Sequence, residues 1–204
     1  VKGVETEGGI TLVKGFEIGG SIAYTDARYT DPIGTVPGVG KFFFGPYADT
    51  PKWQTSAYFR ASMNLAKDGG ELALRGEVYN QSSFYYGNLA NSNVPNTSIA
   101  GYTLVNLRAE WNDVLGSKVN LAAYVNNLFD KNYHTGGFPL GAVEGLNSVL
   151  VGNPRLWGLE LGVKFRTSVD GRISALRFYK GAGNTGTHTG SLWNTSGVLR
   201  SEER

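Results

Sequence analysis

Cysteine is absent from the 204 residues. That excludes a disulfide framework, a cysteine-ligated zinc site and a thiol nucleophile. Histidine occurs only twice, as His134 and His188, too few for a converging set of bases or metal ligands without other partners. Charge is sparse and nearly balanced, at a formal net +2, so no electrostatic footprint for nucleic acid exists and none is expected as a partner. No apolar run reaches the roughly 18 residues that a membrane-spanning helix needs. Strands are not excluded by this, since a barrel strand crosses with about 9–11 alternating residues. No stretch carries a helical period. No signal peptide opens the chain and Val1 is not a start methionine, so it reads as a fragment or a processed piece.

What is abundant is glycine, at 29 residues, and tyrosine, at 11, together with a period of two. Phe16, Ile18, Ile22 and Tyr24 share one parity. So do Trp53, Ala57, Phe59, Ala61, Met63 and Leu65, against Gln54, Ser56, Tyr58, Arg60, Ser62 and Asn64. Leu72, Leu74 and Val78 oppose Arg75, Glu77 and Tyr79; Val105, Leu107, Ala109 and Trp111 oppose Asn106, Arg108 and Glu110. Two further runs, 119–126 and 157–165, alternate in the same way. With the opening segment 1–11, seven strands are expected, each with an apolar face and a polar or small one. Their connections alternate in length. Short turns at 11–15, 67–70 and 112–117 carry turn residues such as Asp68-Gly69-Gly70, whereas 31–50, 80–101 and 130–152 are long and loop-like. Short turns at one end and long loops at the other are the asymmetry of an outer-membrane barrel.

Five aromatic residues share the apolar parity: Trp53 and Trp157 near the long-loop ends of their strands, Phe16, Trp111 and Phe165 near the short-turn ends. By parity they serve equally as the girdles of a lipid-facing wall or as the core of a soluble β-sandwich. The charged residues Arg60, Arg75, Glu77, Arg108, Glu110 and Glu160 take the opposite parity. They would face the lumen of a barrel or the solvent around a sandwich.

A motif separates these readings. Residues 125–133 read VNNLFDKNY, and Pro154-Arg155, Gly158 and an alternating run ending in Phe165 follow. In this order they resemble the last two strands of a TonB-dependent outer-membrane receptor. The resemblance covers 1–165 and implies an all-β, antiparallel up-and-down meander: the last seven strands of a transmembrane barrel of about 22. It also implies a function, TonB-driven uptake of a scarce ligand such as an iron–siderophore across the Gram-negative outer membrane. The implied partners are outer-membrane lipid, the small-molecule ligand, the TonB complex through a plug region absent here, and barrel-assembly machinery through the final strand. No cofactor and no enzymatic activity are implied. The alternative is a soluble extracellular β-module for carbohydrate binding or adhesion.

Residues 166–204 depart from that family. The runs Val169-Asp170-Gly171 and 177–193, RFYKGAGNTGTHTGSLW, resemble the opening of a secreted bacterial β-sandwich domain of unknown function. Only its first strands would be present, as a short β-rich tail, so the expected division is 1–165 and 166–204. Within 167–193 at most a short hairpin or a few loosely packed strands are expected, because Ile173, Leu176, Phe178, Leu192 and Trp193 are too few for a core.

No catalytic set emerges. His134 lies on an expected loop, and the Gly-rich 181–186 lacks the Lys-Ser/Thr of a P-loop. The candidate ligand-binding residues are aromatic and sit in the long loops: Phe43, Phe44 and Tyr47 in the first, Tyr85 and Tyr86 in the second, with His134 in the third. Exposed rings there suit stacking on a planar ligand; the same rings also suit packing one loop against another. No metal site is expected.

Overall fold

The computed structural model describes residues 1–31, 33–38, 40–87, 97–166, 168, 189–194, 196 and 198–203. Two compact units divide the chain, Val1–Lys164 and Phe165–Arg204.

The first unit is built on one seven-stranded sheet: β1 (Lys2–Val13), β2 (Phe16–Asp26), β3 (Trp53–Asn64), β4 (Glu71–Gln81), β5 (Tyr102–Asn112), β6 (Val119–Asn126) and β7 (Leu156–Val163). Spatial order follows chain order, and every neighbouring pair is antiparallel. The expected meander is present, and among the described residues β1 and β7 each have one unpaired edge.

Register puts the apolar parities side by side. Ile18 pairs with Phe59, Leu74 with Ala109, Leu121 with Leu161, Ala123 with Leu159 and Val125 with Trp157. This continuous apolar face is uncovered: Leu159 is 79% exposed, Leu161 70% and Trp157 77%. A soluble sandwich would bury that face under a second sheet. Instead, the cluster of buried apolar residues is Phe84, Tyr86 and Ile99, all in the second long loop. Packing in this unit is therefore concentrated in the loops, and the sheet carries an exposed apolar band of the kind a barrel presents to lipid.

The turn end is tight. Lys67 and Asp68 both have positive φ, as a two-residue type I′ hairpin turn requires. The Trp111 indole N–H donates to the Gly69 carbonyl at 2.8 Å, tying the turn to β5.

Three details differ from the sequence expectation. The long loops are partly ordered by short hairpins, Ile33–Val36 with Gly40–Phe43 and His134–Phe138 with Ser148–Val151. No alternation marks them, because they pack locally rather than across one wide face. One helical turn, Gly141–Glu144, and a 3-10 turn, Val114–Gly116, occur where no helix was expected; both are too short to leave a period in the sequence. Finally, the last strand ends at Val163, so Phe165 lies beyond it. Lys164 makes the last bond to the sheet, its N–H donating to the Lys118 carbonyl at 2.8 Å.

In the second unit the described residues form one hairpin, Gly190–Trp193 with Leu199–Glu203. The Asn194 side chain accepts from the Ser196 and Val198 N–H groups and shapes its turn. The motif 169–188, including Ile173, Leu176, Phe178 and His188, lies outside the described residues.

Candidate functional site

Two surfaces of the first unit carry chemistry: the charged face of the sheet, and the crown of long loops at one end.

On the charged face, Arg60, Arg75 and Arg108 lie directly abreast across β3, β4 and β5. Like charges in that register repel, and each arginine is answered by an acid. Arg60 contacts Glu71 at 2.6 Å, Arg75 contacts Glu77 at 2.6 Å, and Arg108 contacts Glu110 at 2.6 Å. Arg108 also reaches across β6 to grip both oxygens of Glu160 on β7, at 3.0 and 2.7 Å. The Arg75 guanidinium lies 5.2 Å over the Tyr58 ring, and the Tyr58 hydroxyl donates to Glu17 at 2.6 Å. The three arginines, Glu77, Glu110 and Glu160 line an open hollow of about 490 Å³ together with Asn106, Tyr124 and Asn126.

Glycines let rings lie flat on this wall. A Cβ on Gly19 would fall 2.6 Å from the Tyr58 ring, and one on Gly158 would fall 2.7 Å from the Tyr124 hydroxyl. The side chain of one strand thus covers the bare backbone of its neighbour.

The loop crown is knitted together. Tyr29, at the exit of β2, stacks on Phe44 at 4.6 Å and leans on Tyr47 at 5.1 Å. The first loop joins the second through the Asp49 N–H, which donates to the Tyr85 carbonyl at 2.7 Å. The second joins the third where the Tyr86 ring covers Gly137; a Cβ there would fall 2.8 Å from it. Tyr133 of the third loop packs on Tyr102 at 4.5 Å, and Tyr102 on Tyr79 at 6.2 Å.

Of the residues expected at a ligand site, Phe43, Tyr47, Tyr85 and His134 are exposed on the crown. Phe44 is half-buried and stacked on Tyr29, and Tyr86 is buried at 4% exposure between two loops. Of the expected girdle, Trp53 is exposed beside the Tyr24 ring at 4.7 Å, Trp157 is exposed, and Phe16 and Trp111 are half-buried. Phe165 is exposed beyond the strand end. Tyr29, Tyr79, Tyr102 and Tyr133 were not singled out by sequence reasoning. Tyr133 was within reach, since it ends the VNNLFDKNY run. Among the described residues, no three histidine or acidic side chains gather as metal ligands.

A family model for the β-barrel of TonB-dependent receptor-like proteins matches residues 1–128, well over half the chain. The chain belongs to the TonB-dependent receptor β-barrel family. A second model, a domain of unknown function (DUF4082), matches residues 153–203, and so takes in β7 as well as the tail. A search of curated proteins finds no match. Solved structures agree with the barrel fold. The ferric yersiniabactin uptake receptor FyuA from Yersinia pestis is 18% identical, over 80% of this chain and 23% of that one, with a TM-score of 0.63. The ferripyoverdine receptor of the Pseudomonas aeruginosa outer membrane, bound to ferripyoverdine, is 22% identical, over 77% of this chain and 18% of that one, with a TM-score of 0.52. At these identities the likeness is one of fold. The TonB-dependent receptor segment described here spans about a fifth of the length of either receptor.

Proposed function

We propose that this chain is wall and mouth of an outer-membrane receptor that imports a scarce ligand, an iron–siderophore or similar chelate, with energy delivered by the TonB complex. The observation that supports it most is the two-faced sheet. One face is apolar and uncovered, the other carries paired charges, and aromatic loops gather at one end only. In this reading the apolar face meets outer-membrane lipid, with Phe16, Trp53, Trp111, Trp157 and Phe165 toward the two interfaces. The charged face lines the lumen, where a plug region would contact TonB. Phe43, Tyr47, Tyr85 and His134 meet the ligand, and Phe44 and Tyr86 hold those loops from beneath. Barrel-assembly machinery handles β7. The activity is transport, with no chemical conversion of the ligand.

The test is genetic. Deleting the gene in its Gram-negative host should abolish uptake of one class of radio-iron-loaded siderophore under iron limitation, and the intact gene should restore it. Unchanged uptake of every siderophore class, of haem and of cobalamin would refute the reading.

A further inference from the structure

The run that marks the family, NNLFDKNY with the later NPR, has no role in the transport reading so far. The structure brings its two halves together. Asn127 follows directly on β6, with φ of 53°, and is 4% exposed. Its Oδ1 accepts the Lys131 N–H at 2.8 Å. Its Nδ2 donates to the Lys131 carbonyl at 2.9 Å and to the Asn153 carbonyl at 3.2 Å. Its own N–H donates to Asn106 Oδ1 on β5 at 3.0 Å. The side-chain amide of this one buried residue thus joins the outgoing and returning stems of the third long loop, and its backbone N–H ties both to the neighbouring strand. A second tie lies beside it, where Asp130 Oδ1 accepts the Arg155 N–H at 3.0 Å. A third sits one step further out, where the Gly152 N–H donates to the Tyr133 carbonyl at 2.8 Å.

We propose that the two halves of this motif form a clamp across the base of the third long loop, with Asn127 as its positioning residue. The clamp holds the hairpin His134–Phe138/Ser148–Val151 preformed at the mouth before any ligand arrives. Closing a loop of this length costs chain entropy, and buried amide bonds at its base offset that cost where it is greatest. The hairpin then stands as a fixed wall against which Tyr86 of the second loop packs. This rests on the transport reading for its purpose, though not for its test.

The test uses the full chain folded in detergent micelles, without ligand, and reads amide hydrogen exchange by mass spectrometry. Asn127→Gly keeps the left-handed backbone without strain and removes only the side-chain bonds. Asn127→Asp keeps the acceptor for Lys131 but turns the donor to two carbonyls into a second acceptor. Both should speed exchange of the 134–138 and 148–151 amides by roughly ten-fold or more, as expected when several buried bonds are lost. Exchange in β4 and β5 should stay unchanged, which a general loss of stability would not allow. Unchanged loop exchange in either folded variant overturns the clamp, and so does an equal loss across all strands. No siderophore enters the measurement, so failure of the transport reading and failure of the clamp are separate results.

Discussion

The grip of Arg108 on Glu160 should hold the edge strand β7 from two strands away, and a double-mutant cycle measures it. A hydrogen bond to a charged group contributes about 1.5–3 kcal/mol when buried, whereas an exposed ion pair contributes about 0.2–1 kcal/mol. Here Arg108 is 34% exposed and Glu160 51%, and the contact is two-pronged, at 3.0 and 2.7 Å. These facts set the coupling near the top of the exposed range, about 1 kcal/mol. Glu160→Ala should cost about 1 kcal/mol. Arg108→Ala should cost about 2 kcal/mol, because it also leaves Glu110 and Glu160 without their shared cation. The double variant should then cost no more than Arg108→Ala alone. Urea unfolding of the chain in micelles, followed by tryptophan fluorescence, reads all three, since Trp157 reports on β7 itself. Lys164 and Asp113, at 2.8 Å and both more than half exposed, are the control, with a coupling of about 0.3 kcal/mol. If the Arg108–Glu160 coupling is no larger than that of the control, β7 is not held from β5 and the reasoning fails.

Other outcomes follow from the same wall. Trp111→Phe keeps an aromatic side chain, though a smaller one, and loses the indole bond to Gly69, so it should cost about 1 kcal/mol or more and speed amide exchange in the 67–70 turn. Gly19→Ala drives a methyl into the Tyr58 ring and should cost about 1–3 kcal/mol in urea unfolding; Tyr58→Ala in the same chain should remove most of that penalty. In the complete receptor, Leu161→Arg places a cation on the apolar face and should cost about 2–4 kcal/mol if it lies near the bilayer midplane, seen as loss of the heat-modifiable barrel band in outer-membrane fractions. An unaltered band would argue that this face does not meet lipid. Deleting 166–204 removes none of the strand pairs of the seven-stranded sheet, so that band should persist; its loss would make the tail part of the barrel fold.

The seven strands were legible because the sheet has an uncovered apolar face and a face of polar, charged or small residues, and a period of two survives wherever the two environments differ that much. Turn positions were legible from glycine and aspartate at 68–70. The loop hairpins were not, since His134–Phe138 and Ser148–Val151 have no two-sided environment to impose alternation. Arg60, Arg75 and Arg108 could be given a common face from parity, but their abreast alignment depends on register. At the crown, the aromatic residues were visible, yet the division between exposed Tyr85 and buried Tyr86 depends on Gly137, more than fifty residues away along the chain. The end of β7 was misjudged by two residues because Phe165 continues the alternation after the pairing has stopped.

The ring of Tyr58 lying on Gly19 has a consequence for how this wall can change over generations. The two positions are thirty-nine residues apart in sequence (58 minus 19) and act as one inherited unit. A side chain at position 19 is excluded while the ring is in place. Loss of the ring, by contrast, only bares backbone and leaves Glu17 without its hydroxyl partner. Viable histories therefore run in one order: the aromatic side chain shrinks first, and the glycine is released afterwards. Related barrels should therefore hold the ring with the glycine, the glycine alone, or neither, and a lineage that keeps the ring while replacing the glycine should be rare.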